Sequence, residues 1–157
     1  MMGIGTAQFA TKWPIERFHE IGQRVIASGL AEIVVVGGPA EAEDAKAMTA
    51  SWGEGIVAAG QFGVHEMASL MTHADLYLGL NTGTTHLAAS VNIPIVGVYS
   101  GHNLPGEWNP LSQNYTLLTH LVPCQACQLT RCNVEGHPCM MGITVEDVWK
   151  AVQSKLV

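Results

Sequence analysis

Asp75-Leu76-Tyr77-Leu78-Gly79-Leu80 runs directly into Asn81-Thr82-Gly83-Thr84-Thr85-His86 and then into Leu87-Ala88-Ala89-Ser90. The apolar run Leu76–Leu80 has the length of a buried strand, and the small-residue pattern Thr85–Val91 reads as a helix. Between them lies a glycine-centred turn rich in hydroxyls. A strand that breaks at glycine and feeds a helix N-terminus can hold phosphate. The glycine lets the backbone come close, and the first helical N–H groups have no carbonyl partner. The hydroxyls of Thr82, Thr84 and Thr85 would add donors. His86 falls in the first helical turn, where the positive helix end disfavours imidazolium. A neutral ring giving one N–H to phosphate fits there, and a structural histidine is the alternative. A phosphorylated ligand is the first expectation; the plainer one is a strand-to-helix turn capped by threonine.

Outward from this stretch, apolar runs alternate with helical patterns. Strands are expected at Met2–Thr6, Glu32–Gly37, Gly55–Ala58, Leu76–Leu80, Pro94–Tyr99 and Tyr115–Thr119. Helices are expected at Pro14–Ser28, Glu41–Ser51, Val64–His73, Thr85–Val91 and Val145–Leu156. Ile15, Phe18, Ile21, Val25 and Ile26 share one face of the first helix, Pro14 suits its N1 position and Gly29 ends it. Thr144 is placed to cap the last helix. The βαβα order predicts a doubly wound parallel α/β sheet, Rossmann-like, with helices on both faces. In such a sheet ligands gather at the carboxyl ends of the strands. Four loops would meet there: Ala7–Lys12, Gly37–Glu43, Asn81–His86 and Ser100–Trp108.

Composition narrows the possibilities. The 157 residues suit one domain with a sizeable core. Seven Lys and Arg against 13 Asp and Glu give a net charge of −6, with no basic cluster, which argues against a nucleic-acid partner. The apolar runs are too short to cross a bilayer, and no signal peptide is evident. Only 13% of residues are charged, so part of the surface is expected to meet another domain or subunit. Met1-Met2-Gly3-Ile4-Gly5 reads as a strand already under way, either the continuation of a longer protein or a frayed edge strand.

Three further sets of residues carry chemistry. Lys12 lies in the first loop, just before Trp13-Pro14, where a lysine can neutralise phosphate as a point charge; a solvated loop lysine is the alternative. Gly37-Gly38-Pro39-Ala40-Glu41-Ala42-Glu43 follows the second strand, where an acidic residue often grips ribose hydroxyls. Glu41 and Glu43 are equal candidates, and both would also favour a helix N-terminus. Cys124-x2-Cys127-x4-Cys132-x6-Cys139 resembles a knuckle for Zn²⁺ or iron, with His137 as a stand-in ligand. Reduced thiols packing a loop are the alternative, and disulfides are disfavoured in a cytosolic protein. His102 and Trp108 could touch a sugar, whereas His19, His65 and His73 fall on helices as surface or packing residues.

Together these motifs resemble a known family. Lys12-Trp13-Pro14-Ile15-Glu16-Arg17-Phe18 resembles the K-W-P-x-E-x-F signature of glycosyltransferase family 9, the ADP-heptose:lipopolysaccharide heptosyltransferases. Val36-Gly37-Gly38-Pro39-x-Glu41 looks like its G-G-P-x-E. Ala74-Asp75 followed by Asn81-Thr82-Gly83-x-x-His86-Leu87-Ala88-Ala89 looks like its A-D and D-T-G-x-x-H-L-A-A motifs. Pro123-Cys124-x-x-Cys127, Cys132 and Cys139-Met140 match a cysteine pattern common in the family, and Thr144-Val145-Glu146-Asp147-Val148 is similar to its closing helix. The motifs come in the family's order and cover nearly the whole chain.

The resemblance implies a GT-B enzyme of two facing Rossmann-like domains, of which residues 1–157 match only the C-terminal, donor-binding half. Lys12, Asn81, Thr82, Gly83, Thr84, Thr85 and His86 would hold the diphosphate and sugar of an ADP-heptose-like donor. Gly38, Glu41, Glu43 and Phe62 would meet the nucleoside. Transfer would invert the anomeric centre without a metal cofactor. The base, and the binding of a glycolipid or glycan acceptor, would belong to an N-terminal half. The setting would be lipopolysaccharide or cell-envelope glycan synthesis in the cytoplasm, peripheral to the inner membrane. Some relatives carry iron on a cysteine finger, which keeps a structural Zn or Fe on Cys124, Cys127, Cys132 and Cys139 in view. One position departs from the family: it has Asp where this chain has Asn81, which keeps hydrogen-bonding reach and loses the charge. Two rival readings are a nucleotide-sugar epimerase half and a non-catalytic cysteine-knuckle binding module.

Overall fold

Six parallel strands form one sheet in the computed structural model, which describes residues 1–157. They are β1 (Met2–Gly3), β2 (Val34–Val36), β3 (Ile56–Val57), β4 (Tyr77–Leu80), β5 (Ile95–Tyr99) and β6 (Tyr115–Thr119). The helices are α1 (Ile15–Ser28), α2 (Ala42–Trp52), α3 (Val64–Met71), α4 (Gly83–Ser90), α5 (Pro138–Met141) and α6 (Val145–Leu156). The strand order is β3-β2-β1-β4-β5-β6, so the chain builds outward from β1, returns, and builds outward the other way. β1 pairs with both β2 and β4, and the crevice between the loops leaving β1 and β4 is where such a sheet admits a ligand.

The central strands are apolar on both faces because both faces are covered. Val35, Leu78, Leu80, Val96 and Val98 join Phe18 and Ile21 of α1, Met48 of α2 and Val148 of α6 in one core. Val36, Tyr77 and Ile95 point the other way, toward Met67 and Met71 of α3 and Ala88 of α4. Trp13 anchors the entrance to α1: it meets Phe18 edge-on at 4.9 Å, and its indole N–H donates to the Ile143 carbonyl at 3.0 Å.

Most element ends differ from the periodicity by a residue or two, and three differences have a clear cause. α4 begins at Gly83 rather than Thr85, because the Thr82 carbonyl already accepts the N–H groups of Thr85 (3.1 Å) and His86 (3.3 Å). α1 begins at Ile15, with Pro14 as its N-cap and the Pro14 carbonyl accepting from Arg17 at 3.1 Å. β1 stops at Gly3, two residues before Gly5, beside which the Glu41 side chain is packed. The cysteine-bearing loop also holds a short helix, α5, opened by Pro138. Gly29 ends α1 in the left-handed region (φ 65°), and Thr144 caps α6 as its sequence suggests.

Candidate functional site

The turn after β4 is supported from below by a tyrosine. Gly79 pairs with Gly97 on β5, and the register of β1 on β4 brings Gly3 to the other side of Gly79. A Cβ at Gly3 or Gly79 would overlap the Tyr77 hydroxyl, so these glycines make room for the ring. Tyr77 is fully buried, and its hydroxyl lies 2.7 Å from Thr84 Oγ1, which lies 2.9 Å from Thr82 Oγ1. Burial pushes the Tyr77 phenol above its ordinary pKa, so it keeps its proton, although the threonine hydroxyls pull the other way. A phenol is the stronger donor of the two hydroxyl types. With Tyr77 donating to Thr84 and Thr84 to Thr82, the Thr82 hydroxyl can donate outward.

Above that chain, α4 presents its first turn. The N–H groups of Gly83 and Thr84 have no preceding carbonyl within the helix to reach. Beyond its chain neighbours and its own helix backbone, nothing lies within 4 Å of where a Gly83 Cβ would stand, so the approach is open. Asn81 is half-buried at the end of β4. The Thr85 hydroxyl does not join the expected donors: Thr85 is fully buried and donates inward to the Leu80 carbonyl, which closes the strand-to-helix corner. His86 is half-buried with its Nε2 shielded from solvent and unpartnered. Its ring lies 6.0 Å from that of Trp108, which comes from the loop after β5 and is half-exposed. A shielded ring nitrogen with no partner is costly unless a ligand or water meets it.

Across the crevice, Lys12 follows a 3-10 turn, Phe9–Thr11, in the loop after β1. It is exposed, forms no ion pair, and its Nζ lies 5.5 Å from the centre of the Phe9 ring. On the β2 side, the structure separates the two glutamates. Glu41 turns back into the crevice: one carboxylate oxygen accepts the Gly38 N–H at 2.8 Å, and the side chain fills the space beside Gly5 and Gly37. Glu43 points to solvent on α2 and pairs with Lys46 at 2.8 Å. Phe62 is exposed in the loop after β3, just before α3. Lys12, the Thr82–Thr84 turn, His86, Gly38 and Glu41 thus share the carboxyl edge of the sheet, while Glu43 and the Thr85 hydroxyl face elsewhere. Tyr77 was not readable as a site residue, because it lies in an apolar run and its role depends on the glycines beside it.

The four cysteines, with His102 and His137, line one void of about 10 Å³ behind the loops after β1 and β5. The donor types suit zinc or iron. As they stand, no three of these side chains are arranged to hold a metal ion, and all four thiols are free. The His137 Nε2–H is engaged elsewhere, donating to the Ala10 carbonyl at 3.0 Å. Burial pushes the Cys139 thiol above its ordinary pKa. The residues therefore fit a packed thiol loop better than a formed metal centre.

A cavity of about 380 Å³ lies at the opposite pole, against the amino ends of β1, β2 and β4. Apolar residues such as Ile21, Val25, Leu70 and Leu156 dominate its walls. The turn donors and Lys12 all lie at the other pole, so size alone does not mark the site.

Residues 3–137 match the family model for glycosyltransferase family 9 (heptosyltransferase). The chain belongs to glycosyltransferase family 9. It is 24% identical over 131 residues to lipopolysaccharide heptosyltransferase 1 of Pseudomonas aeruginosa, covering 83% of this chain and 36% of that protein. Its fold superposes on the ADP-heptose lipopolysaccharide heptosyltransferase II of E. coli with a TM-score of 0.81 at 20% identity, covering 99% of this chain and 45% of that one. It also superposes on the E. coli heptosyltransferase WaaC with ADP, with a TM-score of 0.77 at 21% identity, covering 98% of this chain and 43% of that one. This family 9 chain therefore spans less than half the length of these relatives. The family match favours a glycosyltransferase over an epimerase half or a cysteine-knuckle module. No helix is long and apolar enough to cross a membrane.

Proposed function

We propose that this family 9 chain binds the donor in transfer of a sugar from a nucleoside diphosphate, with an ADP-heptose-like molecule as donor. The observation that carries this is the pairing, across the β1–β4 crevice, of an unpaired Lys12 with the open first turn of α4. Free backbone N–H groups, the outward Thr82 hydroxyl and a lysine suit a diphosphate. Glu41 meets the ribose hydroxyls on the β2 side, and Phe62 lies toward the base. His86 donates its shielded N–H to a phosphate oxygen. Asn81, carrying no charge, reaches the sugar or phosphate without repelling the diphosphate.

Reaction would follow by inverting displacement. An acceptor hydroxyl oxygen forms a bond to the anomeric carbon while the bond from that carbon to the β-phosphate oxygen breaks. The nucleoside diphosphate leaves with the bonding electron pair, and the acceptor proton passes to a carboxylate base. Lys12 and the α4 amides stabilise the charge that grows on the leaving phosphate. The base and the glycolipid or glycan acceptor site belong to an N-terminal half that residues 1–157 do not supply. Such an enzyme would serve lipopolysaccharide or envelope glycan assembly at the cytoplasmic face of a bacterial inner membrane. Transfer needs no metal, and any zinc or iron on the cysteines would be structural.

Calorimetric titration with ADP and UDP, comparing wild type with Lys12→Ala, tests this directly. Wild type is expected to bind ADP weakly, and Lys12→Ala about fivefold to tenfold more weakly, the worth of one charge-assisted contact in an open site. Equal ADP binding by both proteins would overturn the assignment, and sugar transfer by residues 1–157 alone would overturn the placement of the base in another half.

A further inference from the structure

The chain has seven lysines and arginines, and five of them are committed within the protein. Arg17 donates to the carbonyls of Met141 and Ile143 at 2.9 and 2.6 Å. Arg24 pairs with Glu20 and Glu146, Lys46 with Glu43, and Lys150 with Glu146. Lys155 donates to Asn114 at 2.9 Å. The side chains of the two that remain, Lys12 and Arg131, make no hydrogen bond or ion pair, yet both rest on the same aromatic ring. Lys12 Nζ is 5.5 Å and the Arg131 guanidinium 4.9 Å from the centre of Phe9. Phe9 itself is 54% exposed.

This meeting is built by the backbone. Arg131 is 119 positions beyond Lys12, in the cysteine-bearing loop. That loop grips Ala10, the neighbour of Phe9, through both of its peptide groups. The Ala10 N–H donates to the Thr130 carbonyl at 3.0 Å, and the Ala10 carbonyl accepts from His137 at 3.0 Å. Ala10 is buried, so the splice is shielded. The loop is also tied to the segment after β5, with Ala126 N–H donating to Gly101 at 2.7 Å and Gln128 N–H to His102 at 2.9 Å. Arg131 follows Thr130 directly and is therefore delivered beside Phe9 rather than left to wander.

Two cations resting on one ring are about 10 Å apart at most, within reach of each other's field at ordinary ionic strength. Phe9 attracts each of them, but nothing on the protein neutralises them. An arrangement that brings the only two uncommitted cations together at the ligand edge of the sheet is one that an anion completes.

We propose that Arg131 is a second cation of the diphosphate site, acting with Lys12 on the nucleoside diphosphate. This rests on the donor-binding function proposed above and assigns the cysteine-bearing loop a role in it: carrying Arg131 to the donor phosphates. Phe9 is the platform that sets the spacing of the two charges. Guanidinium can take two phosphate oxygens at once, which a second lysine could not do as well.

The test is titration of wild type, Arg131→Ala, Arg131→Lys and Lys12→Ala with ADP, inorganic pyrophosphate and adenosine at two salt concentrations. Arg131→Ala is expected to weaken ADP and pyrophosphate by the same factor, about threefold to tenfold, and to leave adenosine unchanged. The salt dependence of ADP binding should become shallower, and Arg131→Lys should recover part of the loss. Full ADP and pyrophosphate affinity in Arg131→Ala, with Lys12→Ala still weakened, would overturn the role of Arg131 and leave the donor site standing. An equal loss for adenosine would show that the substitution only disturbs the loop, and would overturn it too. If wild type binds neither ADP nor pyrophosphate, the donor-site function fails and Arg131 loses its role with it.

Discussion

Removing the Tyr77 hydroxyl tests whether the turn after β4 is held from beneath. Tyr77→Phe keeps the ring that fills the space over Gly3 and Gly79 and deletes one buried oxygen. The lost bond, 2.7 Å to Thr84 Oγ1, is worth about 1 kcal/mol net. For a chain of this size that lowers Tm by about 2–4 °C. The effect on ADP binding passes through two hydroxyls and is smaller. A Thr82 bond to a charged phosphate is worth about 1.5–3 kcal/mol, and a donor behind it strengthens such a bond by about 10–30%. The expected weakening is therefore about 1.3-fold to fivefold. Thr84→Val sharpens the experiment, because it strands a fully buried phenol and costs about 1–3 kcal/mol. In that background Tyr77→Phe should be neutral or stabilising, so the sign of its effect reverses. Thermal melts and ADP titrations of the two single variants and the double variant measure this as a coupling energy. Simple additivity of the two losses would refute the hydroxyl chain, as would a Tyr77→Phe protein identical to wild type in both Tm and ADP affinity.

Three further outcomes follow from the geometry. Thr144→Ala should cost about 1 kcal/mol, because Thr144 caps α6, accepting from the Asp147 N–H at 3.2 Å while donating to its carboxylate at 2.6 Å. That bond holds the Asp147 carboxyl below its ordinary value of 3.8. Its stabilisation is thus complete above about pH 4 and fades as the pH falls through the lowered folded-state value; the stability gap between wild type and Asp147→Asn should be constant above about pH 4 and shrink as the pH falls below it. Among the thiols, Cys124, Cys127 and Cys132 should react readily with a disulfide reagent at pH 8, and Cys139 only slowly, because it is buried and its pKa is raised. Four equal rates would contradict that burial.

Much of this molecule is legible along the chain because its signals are local. Two-sided apolar runs such as Ile33–Val36, a helix face repeating at Phe18, Ile21 and Val25, Gly29 at a left-handed C-cap and Thr144 before an acidic turn each depend on neighbours a few residues away. The Rossmann-like order follows from their alternation. The Thr82–Thr84 turn and Lys12 are legible for the same reason, since a glycine after a strand and a lysine before Trp13-Pro14 mark loops by their own chemistry. Element ends are less legible because terminal turns are set by single hydrogen bonds, as when the Thr82 carbonyl draws α4 back to Gly83.

Side-chain direction is a different matter. Glu41 and Glu43 are indistinguishable as letters, and only the packing of Glu41 beside Gly5 and Gly37 turns one into the crevice while Lys46 holds the other in solvent. Thr85 looks like a third donor until the corner it closes against Leu80 is built. Tyr77 looks like an ordinary core residue until Gly3 and Gly79 flank it across two strands. Arg131 depends on a backbone splice to Ala10 from 120 residues away. Local backbone preference falls off within a turn or two of chain, whereas these placements depend on which distant surfaces are pressed together. The chain alone therefore marked a turn with the chemistry to hold a phosphate, and tertiary packing decided which side chains face that turn.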